Sequence, residues 1–182
     1  QGLSRIHRTT GIVDKIQERR FINLPVYRMA AHKGTLWAGT FRGIFKYQSS
    51  AEEWEFVASE AAIQDIEVTA VDAYGDEVWF AAPSGVMMLN TQSNKWKSYP
   101  QIAQEITPPY KYLEVNNAAV WIATPDGLLK LDRRRGYWRL FTTRDGLLDN
   151  RCHQLMLDGD YIWIVTDTGI TQFYWNNPAR FD

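Results

Sequence analysis

The sequence predicts an all-β chain assembled from repeated four-stranded antiparallel units, and periodic series of two residue types carry that prediction. Trp37, Trp79, Trp121 and Trp163 stand 42 residues apart, and six residues after each stands a glycine: Gly43, Gly85, Gly127 and Gly169. A further tryptophan series, Trp54, Trp96 and Trp138, keeps the step of 42, and its fourth position is Arg180. Fixed self-similarity of this length marks a stack of small units, none of which can bury its own apolar faces alone.

The third unit shows the elements in order. Residues 110–115 read as a first strand, and Asn116-Asn117 as a tight turn, because Asn tolerates positive φ. Residues 119–124 (AVWIAT) are a second strand, apolar throughout rather than alternating, as befits a strand covered on both faces. Pro125-Asp126-Gly127 is a turn, with the glycine free to take a φ that other residues resist. Residues 128–131 are a third strand, 132–136 a charged loop, and 137–142 (YWRLFT) a fourth strand. LWAGT, VWFAA and YIWIVT occupy the second-strand slot of the other units. A four-stranded repeat of about 40–45 residues with its central strands buried on both sides is a β-propeller blade, one sheet stacked on the next around an axis.

The blades fall at 26–67, 68–109 and 110–151. Residues 1–25 read as the end of a preceding blade and 152–182 as an incomplete last one, all within one propeller segment of about four blades. Gly2 to Ile6 is similar to the third-strand segment 127–131, and 11–16 reads as a fourth strand. At the other end 169–175 is a third strand, with no clear fourth after Asn176-Asn177-Pro178. Two closures are open. Residues 2–16 complete the last blade of a four-bladed ring, or the chain is part of a longer propeller whose missing fourth strand lies elsewhere. The longer propeller fits better, since a closed ring leaves two third-strand segments for one place. Either closure hides a sheet edge.

Composition bounds the function. The chain has 182 residues, with 20 Lys+Arg against 21 Asp+Glu and a formal charge of -1. That balance argues against a nucleic-acid partner, which calls for a strongly basic face. Aromatics at 14% argue against disorder. The longest apolar run, 118–123, is far short of the ~18 residues of a membrane helix, so no direct membrane insertion is expected. One cysteine, Cys152, allows no internal disulfide. His7, His32 and His153 fall in different slots of the repeat and have no metal-ligand spacing, so neither zinc nor any other cofactor is expected. Asp158-Gly159-Asp160 is a hairpin tip without the spacing of a calcium loop. Cys152 and His153 are neighbours on a strand and point to opposite faces, which defeats a nucleophile–base pair.

Candidate binding residues lie where identical scaffolds carry different tips. The turns between second and third strands should open on one face near the axis, together with the loops entering each first strand. They carry Phe41, Arg42, Ser84, Asp126, Asp167 and Thr168, and the loop 143–150 adds Arg144. A polar pocket formed by several of these is one reading, and ordinary solvated turn residues the other. The phased tryptophans read as core between blades, and Trp54, Trp96 and Trp138 as partly buried. Arg133-Arg134-Arg135 reads as a solvated hairpin loop, and Trp175 as either an outward contact or packing on its own blade.

Residues 141–173 (FTTRDGLLDNRCHQLMLDGDYIWIVTDTGITQF) resemble the two-component regulator propeller repeat, through Asp145, Gly146, Leu147, Asn150, Asp158, Gly159, Trp163, Thr166 and Gly169. LWAGTFRGIFKY and VWIATPDGLLKLD resemble its central part. The second unit departs, with Ala81-Ala82 in place of Gly-Thr, and the D-G-L loop occurs only before the fourth unit. The resemblance implies a sensory or ligand-binding propeller in the periplasm or outside a bacterial cell, within a larger protein. Many such proteins respond to glycans, and others build envelope or secretion assemblies. The expectation is a non-enzymatic module that takes a glycan-like ligand or a protein partner on its axial face, joined to the rest of a larger propeller or to a second copy. The alternative is a carbohydrate-active enzyme, which needs converging axial carboxylates of shifted pKa.

Overall fold

A computed structural model describes residues 3–16, 19–21, 23–57 and 66–176. Gly2, Asn177, Pro178 and Arg180 therefore lie outside the described residues. Strands β1 (Ser4–Ile6) and β2 (Val13–Lys15) form a hairpin. The first full blade is β3 (Val26–His32), β4 (Thr35–Thr40), β5 (Gly43–Gln48) and β6 (Glu53–Phe56). The second is β7 (Ala70–Tyr74), β8 (Glu77–Ala82), β9 (Gly85–Asn90) and β10 (Lys95–Tyr99). The third is β11 (Tyr112–Val115), β12 (Ala119–Thr124), β13 (Gly127–Asp132) and β14 (Tyr137–Phe141). Among the described residues the last sheet has three strands, β15 (Cys152–Asp158), β16 (Tyr161–Thr166) and β17 (Ile170–Tyr174).

Every pairing is antiparallel between strands adjacent in sequence, and β3 lies against β7, β7 against β11, and β11 against β15. The sheets thus stand in series as in a four-blade β-propeller, with the first strands innermost. The turn after each second strand is pinned locally. The hydroxyls of Thr40, Thr124 and Thr166 donate to the carbonyls of Gly43, Gly127 and Gly169 at 2.8, 2.7 and 2.9 Å. Ala82 takes this place in the second blade and has no hydroxyl to donate.

The phased tryptophans are the core between blades. Trp37 packs on Phe80 of the next blade, Trp79 joins Val120 and Ile122, and Trp121 joins Ile162 and Ile164. Trp37, Trp79 and Trp121 are buried, whereas Trp163, whose face meets no further blade among the described residues, is half-buried. The outer series divides: Trp54 is buried and Trp96 and Trp138 are half-buried. Trp175 packs inward, its indole N–H donating to the Gly159 carbonyl at 3.1 Å and its ring centroid 6.0 Å from that of Trp121.

Three features depart from the sequence expectation or refine it. Among the described residues the hairpin β1–β2 joins no other sheet and does not pair with the last blade. It lies beside the first full blade, with Leu3 and Ile16 against Phe21, Leu24, Ala38, Phe45 and Trp54. One turn of helix, α1 (Ile102–Glu105), interrupts the all-β plan, because Ile102 and Ile106, four apart, both reach the core under the second and third blades. Arg133 is not a solvated loop residue. Its guanidinium pairs with Glu77 of the second blade at 2.6 Å and lies 5.6 Å from the ring centre of Tyr74, while Glu77 accepts the Trp79 indole N–H at 2.9 Å. Charge-assisted bonds in this half-buried place tie the third blade to the second.

The D-G-L loop also has a structural task. The Asp145 carboxylate accepts the Thr142 N–H at 2.9 Å and the Arg139 guanidinium at 3.1 Å, Gly146 takes φ 106, and Leu147 is buried.

Candidate functional site

The first strands of the three full blades line an open cavity of about 420 Å³, whose wall includes Arg28 from β3, Asp72 from β7, and Tyr112 and Glu114 from β11. The period of two along a strand sends Tyr112 and Glu114 to the same face, while the buried Leu113 and Val115 turn into the core. The Arg28 guanidinium carbon lies 3.4 Å from the centre of the Tyr112 ring, a cation–π contact across two blades. Asp72 accepts the Val115 N–H at 2.8 Å and so bridges the second and third blades.

The cavity perturbs its acids. Burial pushes the Glu114 carboxyl up to about 7, the Asp72 charge adds to the rise, and Arg28 offsets part of it. Burial likewise raises Asp72, against the pull of its backbone hydrogen bonds and of His32 and Arg28. Burial lowers Arg28, and Glu114 and Asp72 counter that. A carboxyl whose folded value lies above its unfolded one binds its proton more tightly in the fold. Its contribution to stability is present below pH 4.5 and is lost as the pH climbs toward 7. The unfolding free energy is expected to fall across that window, by up to about 3 kcal/mol from Glu114. Glu114→Gln should flatten the slope, as read from urea unfolding at pH 4.5, 6 and 7.5. An unchanged slope in the variant removes Glu114 as the cause.

The turn residues occupy a different region. The Phe41 N–H donates to the Pro25 carbonyl at 3.1 Å, the Thr107 N–H donates to Asp126 at 2.6 Å, and Arg151 pairs with Asp167 at 3.3 Å. Each contact joins a turn between second and third strands to the loop entering a first strand, so the two sets share one face. Phe41, Arg42, Ser84, Arg144 and Thr168 are exposed there, and Asp126 is half-buried. The Arg42 N–H donates to Thr40 Oγ1 at 3.1 Å and the Arg144 N–H to Thr142 Oγ1 at 3.3 Å, local bonds that shape each turn. None of the seven lines the axial cavity.

Asp167 alone anchors a wider cluster. His153 Nε2 is hydrogen-bonded to its carboxylate, and the Lys111 ammonium donates to His153 Nδ1 at 2.7 Å. The His153 bond, with the charges of Arg151 and Lys111, holds Asp167 below the usual carboxylate range. Lys111, immediately before β11, and His153, on β15, stand 42 apart. The buried Cys152 thiol is pushed up to about 12, chiefly by desolvation, and is no nucleophile at neutral pH.

Sequence reasoning missed Arg28, Asp72, Tyr112 and Glu114. A signal was there: Asp72 and Glu114 are themselves 42 apart, at a slot held by Ala30 in the first unit and Met156 in the last. Among the described residues no group of three or more His, Cys, Asp or Glu is placed to hold a metal ion, and no helix is long and apolar enough to cross a membrane.

No family model matches the chain, and no curated protein matches it. Solved structures do. The chain is similar to the extracellular domain of BT4673, a one-component system of B. thetaiotaomicron, at TM-score 0.74 and 18% identity over 94% of this chain and 24% of that one. It is similar to the extracellular domain of the hybrid two-component system BT3049 of the same organism, at TM-score 0.75 and 19% identity over 92% of this chain and 24% of that one. The chain thus spans about a quarter of the length of each. Virginiamycin B lyase of Staphylococcus aureus matches at TM-score 0.68 and 11% identity, over 93% of this chain and 57% of the enzyme. These likenesses show the fold: the chain has a β-propeller architecture, as its 42-residue repeat predicted.

Proposed function

We propose that the chain is a non-enzymatic recognition module of a larger extracytoplasmic bacterial propeller, and that it binds a small polar, glycan-like ligand in the axial cavity. The observation that carries this reading is the cavity of about 420 Å³, a ligand-sized space, where Arg28, Asp72, Tyr112 and Glu114 converge from three blades. Hydroxyl groups donate to the two carboxylates, and ring or carboxyl oxygens accept from Arg28. The exposed tips with Phe41, Arg42, Ser84, Asp126, Arg144, Asp167 and Thr168 form the rim, where a protein partner or the rest of a larger propeller has room to dock. The likeness to extracellular sensor domains supports a sensor-input role.

A screen of oligosaccharides followed by calorimetry tests the reading. Arg28→Ala and Asp72→Asn should each weaken the best ligand by at least about tenfold, or about 1.4 kcal/mol. Binding that survives both, and is lost instead in Asp126→Ala or Asp167→Ala, moves the site to the rim.

The raised carboxyls also favour a second reading, since a general acid of a glycosidase needs such a shift. In that case the same screen yields shorter products, and Glu114→Gln abolishes turnover while binding persists.

A further inference from the structure

The axial cavity has a charge pattern that narrows its ligand, and the inference rests on the recognition reading above. Two carboxyls, Asp72 and Glu114, enter from β7 and β11, and one cation, Arg28, enters from β3. Arg28 is committed to the face of the Tyr112 ring at 3.4 Å, and among the described residues no ion pair within 4.0 Å joins it to either carboxyl. With both acids ionised the three groups leave one negative charge unbalanced in a partly desolvated space, an arrangement that a cation relieves. A metal ion is the poorer occupant, because two carboxyls fall short of its usual ligand set. An ammonium group has three N–H donors, and the Asp72 and Glu114 carboxylates are acceptors. Arg28, an exclusive donor, meets an oxygen of the same ligand.

We propose that the cavity selects a primary ammonium group bearing a nearby oxygen acceptor, held between Asp72 and Glu114 with Arg28 on the oxygen. Amino sugars and free amino acids both have this chemistry. Binding discharges the Glu114 proton, because a cation beside the carboxyl favours its ionised form. The charged and titratable groups that act on the pair are Arg28 and His32 from β3 and the two acids themselves.

Calorimetry on the full chain at pH 6, where the ligand amines are protonated, tests this. The probes are chitotriose with free amines, its fully N-acetylated counterpart, and L-lysine, each in two buffers of different ionisation enthalpy. Free-amine chitotriose should bind at least about tenfold more tightly than the acetylated sugar and release a proton to the buffer. Lysine binding as tightly assigns the site to amino acids; lysine failing assigns it to amino sugars. Glu114→Gln should weaken the amine about tenfold and abolish proton release, with its unfolding midpoint measured alongside to show that it is folded. Equal binding of free and acetylated sugar, both sensitive to Arg28→Ala, overturns the ammonium inference and leaves the recognition reading standing. No binding by any of the three probes, while other oligosaccharides bind in the cavity, overturns it equally. Failure of all probes and of the whole oligosaccharide screen sinks both.

Discussion

Gly127→Ala should destabilise the chain by about 4 kcal/mol or more, the largest single effect expected at any of the phased glycines. Gly127 has φ +149, and a β-carbon added there would lie 2.1 Å from the Phe141 carbonyl oxygen. The contact is backbone, in the strand that pairs with its own, so no side chain can swing aside. Gly85 stands in the same relation to Tyr99, whose carbonyl oxygen would lie 2.7 Å away. The second and third blades therefore keep glycine after the second strand for two reasons, the φ of the turn and the passage of the fourth strand. Gly169 separates them: at φ +153, its added carbon would meet only Leu148 Cδ1, at 3.3 Å. Gly169→Ala should cost clearly less than Gly127→Ala in urea unfolding, and equal costs would remove the fourth-strand contact as the cause.

Trp121→Ala should cost about 3–5 kcal/mol, as deletion of a large buried aromatic side chain does. The ring is fully buried between the third and last blades, with the Phe141 and Trp175 centroids at 6.2 and 6.0 Å. Its indole N–H has no hydrogen-bond partner among the described residues. Trp121→Phe should accordingly be milder, since it keeps most of the ring and removes a buried donor without an acceptor. Trp163→Ala, at the same slot of the last blade, should cost only about 1–2 kcal/mol, because that half-buried ring faces no following blade among the described residues. Thermal or urea unfolding of the three variants checks the order, and a Trp163→Ala loss as large as that of Trp121→Ala would show that its face is covered in solution.

Much of the fold was legible because its determinants are local and repeated. Hydropathy runs such as AVWIAT, turn residues at Asn116-Asn117 and Pro125-Asp126-Gly127, and a constant step of 42 each act within one unit, so reading one blade reads the others. The loop face was legible for the same reason: Asp126 and Asp167 do stand on the turns that meet the loops entering the first strands. The helical turn at Ile102 and Ile106 escaped because four residues are too few for a period to declare itself.

By itself the sequence determined the repeat, the order of strands, the turns and the burial of Trp37, Trp79 and Trp121, all of them consequences of preferences exerted over a few residues. The tertiary structure decided which residues meet. Arg28 reaches the ring of Tyr112, Arg133 finds Glu77, and Asp72 caps the N–H of Val115, each across dozens of residues of chain. The side-by-side stacking of the blades brings their first strands together around the axis. A cavity built there is assembled from blades that are neighbours in space, and so is the burial that raises its carboxyls.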